Sequence, residues 1–197
     1  MGAGRDWRYL VAALALAAPA AHAIEVEKLE VRRSDNRYVV EFKAHLDAPA
    51  DQVGAVLKDY EHYPQLDSRI LESRRDDSEP VLRTKVRGCV GSILCRTMRR
   101  VEKLEEMPGG LIATAVPGQS DVSYGRTHSQ WEARDGGTEL LYRLEIEPDF
   151  WVPPFIGPRM MIKTLREGTL SLFTNVERVA RDRAQSSTHE SAENGLR

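Results

Sequence analysis

Hydrophobic and polar residues alternate most regularly between residues 139 and 147. One face of this segment carries apolar side chains and the other carries charges; the apolar set is Leu140, Tyr142, Leu144 and Ile146. A period of two is typical of a strand with one buried face. The segment Gly125–Arg134 precedes it, and Asp135-Gly136-Gly137 between them is favourable turn chemistry. The pattern predicts an antiparallel hairpin late in the chain.

Further extended segments are separated by turn residues. The first two are joined by Ser34-Asp35-Asn36, and others end at Asp77-Ser78-Glu79-Pro80 or at Pro108-Gly109-Gly110. These turn residues delimit predicted strands at 24–33, 37–46, 69–76, 82–87, 96–105 and 111–116, and in the segment 82–87 apolar and basic residues also alternate, as expected for a half-buried strand.

Helical periodicity occurs in two places. Pro49 is expected to open a short helix with one apolar face that breaks at Pro64, because proline suits a first helical position. A long helix is predicted over Arg159–Arg183 from its apolar stripe, with Gly168 in its middle. A mid-helix glycine costs about 1 kcal/mol relative to alanine, so a close approach of sheet or ligand would explain it.

This order of elements resembles the START-like superfamily, also called SRPBCC, which includes polyketide cyclase/dehydrase-like and coenzyme Q-binding proteins. The resemblance extends from about Arg37 to Arg183. It rests on the proline-led helix, Trp131 on a late strand, the proline-rich passage from Pro148 and the closing helix. It implies an α+β helix-grip fold: a curved antiparallel sheet wrapped around a long C-terminal helix, with two short helices after the first strands and an apolar cavity inside.

The N-terminal residues are expected to be a signal peptide, cut after Ala23. Arg5 and Arg8 form a basic start, an apolar run of about ten residues follows, and Ala21-His22-Ala23 is a small-x-small cleavage site. The run is shorter than the ~20 residues that span a bilayer, although a retained anchor is the alternative. The expected product is periplasmic or secreted, with a START-like domain at 24–184 and a disordered tail at 185–197.

Charge and cysteine content narrow the function classes. The formal charge is −2, or −3 without the leader, and with export this argues against nucleic acid as a partner. Cys89 and Cys95 suit a disulfide in an oxidising compartment, with free thiols as the alternative. The sequence predicts no metal site, cofactor or oligomeric state.

The resemblance implies a hydrophobic small molecule, lipid- or quinone-like, bound in an internal cavity. The expected lining comprises aromatic and aliphatic residues of the sheet and helices: Tyr60, Tyr63, Leu66, Val86, Trp131, Tyr142, Leu144, Ile146, Leu165 and Leu172. The alternative is that these residues simply fill a core.

Two surface features suggest transient contact with an anionic membrane. The apolar passage before the last helix contains Phe150, Trp151 and Phe155, which are expected to contact the membrane. The alternative is that these side chains pack the start of the helix against the sheet. Two neighbouring strands carry a run of basic residues that could bind anionic phospholipid headgroups, with a binding free energy of about 1 kcal/mol per residue. The alternative is that these residues form a solvated face of the sheet. The run is Arg83, Lys85, Arg87, Arg96, Arg99, Arg100 and Lys103.

Catalytic signals are weak. The chain has no G-x-S-x-G elbow, phosphate-binding loop or dinucleotide fingerprint. His128 is the best acid–base candidate, but alternation places it opposite the inward Trp131, so no catalytic residue is predicted. The leading hypothesis is a carrier or sensor of a hydrophobic molecule. The alternatives are a cyclase/dehydratase-type enzyme acting on an aromatic or polyketide substrate and a protein-interaction module.

Overall fold

An antiparallel sheet of eight strands curves around a long helix. The computed structural model describes residues 24–90, 94–152 and 154–194, and the expected signal peptide lies outside them. The strand order is β1-β2-β8-β7-β6-β5-β4-β3, and all paired neighbours are antiparallel. The strands are β1 Glu25–Ser34, β2 Arg37–Leu46, β3 Ile70–Arg75, β4 Val81–Val90, β5 Leu94–Met107, β6 Gly110–Ala115, β7 Val122–Arg134 and β8 Gly137–Pro148.

The β7–β8 hairpin confirms the alternation argument. Arg134 pairs with Gly137 across a two-residue turn, Asp135-Gly136. Both turn residues have positive φ, 49° and 81°, as this tight hairpin geometry requires. The register places Leu140 and Tyr142 on the face that packs inward.

Helix α1 (Ala50–Leu57), a short 3₁₀ turn (Tyr60–His62) and helix α2 (Tyr63–Leu66) connect β2 to β3. The predicted break at Pro64 is wrong. Pro64 lies in the first turn of α2, where a missing backbone N–H costs no helical hydrogen bond. Helix α1 begins after Pro49 as predicted, with the Pro49 carbonyl accepting a hydrogen bond from the Val53 N–H, but it already ends at Leu57.

Helix α3 (Gly157–Asn194) closes the concave face of the sheet. It begins two residues before the predicted start and continues beyond Arg183, so residues 185–194 of the expected disordered tail are helical. Residues 195–197 lie outside the described chain. In the described residues, no helix is long and apolar enough to span a membrane. The helix-grip architecture is confirmed.

The disulfide between Cys89 and Cys95 is present in the structure. The two residues are directly opposite each other on β4 and β5, with 4.0 Å between their Cα atoms. The bridge therefore clamps the end of this hairpin, next to one end of the space between sheet and helix.

Candidate ligand cavity between sheet and helix

A cavity of about 240 Å³ lies between β4, β5, β8 and α3. Its walls are mostly apolar, and we call it the larger cavity. Aliphatic and thioether side chains from both layers form those walls, among them Val86, Met98, Val122, Leu144, Ile146, Met161, Leu165 and Leu172. Leu144 and Ile146 face it because they alternate with the charged residues of β8 that point to the outer face.

A smaller cavity of about 130 Å³ adjoins the larger one deeper in the fold. The two share the walls Ile70, Val86, Arg100, Tyr142 and Leu172, so only side chains separate them. Taken together, their volumes fall at the lower end of the roughly 300–1,000 Å³ typical of small-molecule sites. The interior therefore has room for an elongated guest.

A largely buried ion pair lies where the two cavities meet, with the Arg100 side chain 20% exposed. Arg100 Nη2 donates to Glu102 Oε1 over 2.5 Å, and the Glu102 side chain is 5% exposed. Burial by itself would lower the pKa of Arg100, but the Glu102 carboxylate outweighs it and the pKa lies above its usual value. Arg100 therefore stays charged and keeps other guanidinium N–H groups for a third partner.

The basic run predicted on β4 and β5 is thus wrong for Arg100, which points inward. Residues 98, 100, 102 and 104 share the concave face of β5, and each lines one of the cavities. The sequence hides this assignment because Val101, on the opposite face, is also buried. Two apolar residues three positions apart, Val101 and Leu104, give no consistent alternation.

Two tyrosines add hydroxyl groups to the same region. The Tyr142 ring packs edge-on against the Phe173 ring, with centroids 4.9 Å apart, and Tyr142 lines both cavities together with Arg100. Burial, partly offset by Arg100, raises the pKa of Tyr142 to about 12, so this hydroxyl stays protonated. Tyr63 donates to the Leu57 carbonyl over 2.6 Å, and burial raises its pKa well above the usual value.

A second charged pair borders the larger cavity at α3. Arg69 binds the Asp67 carboxylate over 2.5 Å and donates to the Thr164 carbonyl over 3.3 Å. A Cβ at Gly168 would overlap the Arg69 guanidinium. Gly168 therefore allows the close approach that its position in mid-helix suggested, and the approaching group is an arginine of the β3 entry.

The residues predicted to bind a ligand are placed in three different surroundings. Tyr63 and Leu66 line the smaller cavity, whereas Tyr60 and Trp131 lie in packed core and line neither. Tyr60 donates to Glu106 Oε1 over 2.9 Å, and Trp131 packs against Gly54 of α1. The larger cavity is lined by the remaining six: Val86, Tyr142, Leu144, Ile146, Leu165 and Leu172.

Acid–base and metal-binding groups are sparse. Of the histidines with described side chains, none lines either cavity. His128 is on the face of β7 opposite to that of its neighbours Thr127 and Ser129, which line the smaller cavity. The described residues contain no cluster of histidine, cysteine and acidic side chains able to hold a metal ion. The chemically distinctive groups of the interior are Arg100, Glu102 and the tyrosine hydroxyls.

Comparisons with known proteins agree with this architecture. A family described as "Polyketide cyclase / dehydrase and lipid transport" matches residues 37–177. No curated protein gives a significant sequence match. The matched span contains most of the walls of both cavities, although it begins after β1 and ends within α3.

Several solved structures share the fold at low sequence identity. A START superfamily protein from Mycobacterium smegmatis is 19% identical with a TM-score of 0.56, covering 72% of this chain and 98% of that one. The Zhui aromatase/cyclase from Streptomyces sp. R1128 is 15% identical with a TM-score of 0.58, covering 74% and 94%. Human STARD10 is 11% identical with a TM-score of 0.54, covering 82% and 78%.

Proposed function

Because this chain belongs to the polyketide cyclase / dehydrase and lipid transport family, we propose that it binds one hydrophobic small molecule, lipid- or quinone-like, between its sheet and α3. The observation that carries this proposal is the pair of adjoining cavities with mostly apolar walls. Burial of an alkyl chain there would contribute about 0.8 kcal/mol per methylene before ordering costs.

The guest is expected to carry one polar oxygen group. Arg100 and the Tyr142 hydroxyl meet at the junction of the cavities, where a carboxylate, phosphate or carbonyl oxygen could accept from the guanidinium. Both cavities leave this junction along apolar walls, so one polar group with an apolar body on either side fits the distribution of side chains.

Native mass spectrometry of the protein purified from its own host tests this proposal, followed by solvent extraction and analysis of the extract. We expect a bound species of lipid-like mass. In parallel, the extracted protein is titrated with a fluorescent polyene fatty acid. Absence of any adduct together with no saturable binding of this probe would overturn the proposal and favour a protein-interaction module.

A matched pair of substitutions on α3 locates the site. Leu172 borders both cavities, so Leu172→Trp should fill the passage between them and abolish probe binding. Leu170, two residues away and 38% exposed, lines neither cavity, and Leu170→Trp should bind as the parent does. Equal binding by both variants would place the probe elsewhere.

A cyclase/dehydratase-type activity is the second candidate function. It is favoured by the donors at the junction, since Arg100 and a protonated Tyr142 could stabilise an enolate oxygen on an aromatic or polyketide substrate. Incubation with a linear poly-β-ketone mimic would show ring formation that Arg100→Met abolishes. If the mimic is recovered unchanged, the cyclase/dehydratase activity is excluded for this substrate class and ligand binding remains the proposed function.

We also propose that the chain is exported and cut after Ala23. The basic start, the short apolar run and the small-x-small site support this proposal. N-terminal sequencing of the protein from its host is expected to begin at Ile24. A start at Met1 with membrane-bound protein would instead favour the retained anchor.

A further inference from the structure

The rim of the larger cavity carries the most exposed large apolar side chains of the described chain. Trp151, Phe155 and Ile156 are 78%, 88% and 64% exposed, and all belong to the connection between β8 and α3. This connection starts at the cavity, since Pro148 and Phe150 line it, and returns to it at Met161. The exposed side chains therefore all belong to the connection that borders the cavity mouth, and we call them the apolar patch.

The same rim carries cations that have no acidic partner. Most of the basic run predicted on β4 and β5 is neutralised: Arg83 pairs with Asp76, Lys85 with Glu72, Arg99 with Asp121 and Arg100 with Glu102. In the described part of the chain, Arg87 and Arg96 form no ion pair, and both border the larger cavity. Arg159, just after the apolar patch, is also exposed and unpaired there.

The apolar and cationic parts of this rim contact each other. Arg96 Cζ lies 4.9 Å from the centroid of the Phe150 ring. This cation–π contact joins β5 to the segment between β8 and α3 at the cavity mouth. One acid, Asp149, accompanies them within residues 149–156. The described rim is thus an apolar patch flanked by three unpaired arginines.

We infer that this rim, formed by Phe150, Trp151, Phe155 and Ile156 with Arg87, Arg96 and Arg159, docks on anionic lipid bilayers. An aromatic patch enters the interface between headgroups and acyl chains, and arginines beside it bind lipid phosphates. Docking here would bring the cavity mouth to the lipid surface. The inference goes beyond ligand binding, because the surface would dock whether or not the cavity holds a guest.

Vesicle flotation of the full chain tests this inference. Phosphatidylcholine vesicles with about one quarter phosphatidylglycerol are compared with phosphatidylcholine alone, at low and high salt. We expect partitioning to the anionic vesicles that falls with salt. Trp151→Ser should lower it about tenfold or more, and Arg87→Gln and Arg96→Gln about fivefold each. Because the Trp151 side chain is so exposed, the melting temperature of the Trp151→Ser protein should be close to that of the parent.

Matched controls separate the rim from the remaining surface. Leu71→Ser removes another exposed apolar side chain, on β3, and Lys103→Gln removes a cation of β5 that forms no ion pair with the described residues. Neither should change partitioning. Any binding through the N-terminal segment is the same in all variants, so only differences among them count.

Three results would overturn the inference: rim variants that bind as the parent does, controls that lose binding equally, or a concentration-dependent dimer abolished by Trp151→Ser. The last would identify the patch as a contact between copies of this chain. Failure of docking is distinguishable from failure of ligand binding, because the polyene fatty acid titration contains no vesicles.

Discussion

The space between the sheet and α3 is packed at one end and open at the other. At the more tightly packed end, the rings of Phe42 and Phe173 stack with centroids 5.0 Å apart, although Phe173 also borders the smaller cavity. At the open end, small residues of both layers face the larger cavity, among them Gly88, Thr164, Gly168 and Thr169. The cavity thus arises where side chains too small to meet face each other, within one continuous fold.

The largest expected contrast comes from truncating one residue of α3 at each end. Phe173 is 1% exposed and contacts the rings of Phe42 and Tyr142, so Phe173→Ala should lower the free energy of unfolding by about 3–5 kcal/mol even though one side of Phe173 borders the smaller cavity. Leu165 already borders empty space, and Leu165→Ala should cost about 1–1.5 kcal/mol or less. Urea unfolding of delipidated protein measures both. Similar losses would mean that the open end is packed in solution.

The next largest expected contrast concerns the Arg100–Glu102 ion pair, at the junction of the two cavities. Glu102→Gln leaves the Arg100 charge buried without its counter-ion and should destabilise the protein by roughly 2–3 kcal/mol. Glu145, on the outer face of the sheet, also binds an arginine, with 2.9 Å to Arg143 Nη2, but that pair is solvated. Glu145→Gln should therefore cost less than about 1 kcal/mol. Equal losses would show that water screens the inner pair as well.

Two helical glycines provide a smaller and more specific contrast. A Cβ at Gly54 would lie 2.6 Å from Trp131 Nε1 in packed core, so Gly54→Ala should cost about 1–2 kcal/mol despite its better helix propensity. At Gly168 the neighbour is the far end of the Arg69 side chain, which can shift towards the cavity at the cost of its 3.3 Å hydrogen bond to the Thr164 carbonyl. Gly168→Ala should therefore range from neutral to about 1 kcal/mol more stable. Destabilisation at Gly168 comparable to that at Gly54 would show that Arg69 is held rigidly.

The last expected effect is a pH dependence at the junction of the two cavities, which is absent at neutral pH and appears only in alkaline solution. The pKa of Tyr142 is raised by burial from 10.0 to about 12. A raised pKa in the folded state means that its stabilising contribution is present below pH 10 and is lost as the pH rises towards 12. Tyr142→Phe should lack this part of the alkaline loss, as urea unfolding in that window would show. Identical curves for parent and variant would place the Tyr142 hydroxyl in contact with solvent.

Local pattern was sufficient for the elements that have one buried face. The β7–β8 hairpin, the inward set on β8 and the stripe of α3 follow from periodicities of two and 3.6, which depend only on neighbours along the chain. The prediction of a helix break at Pro64 failed because proline is compatible with both the end of one helix and the first turn of the next. Short-range signals leave that choice open.

The sequence by itself determined which residues are apolar and which face of most strands they share, and through the family resemblance it indicated a helix-grip fold with an interior space. Only the tertiary structure decided which of those apolar residues surround empty space. Tyr60 and Trp131 join the packed core, whereas Leu144 and Leu165 border the cavity. The inward turn of Arg100 was likewise decided there. Whether a space is filled depends on the volumes of residues that are distant in sequence and meet only across the fold.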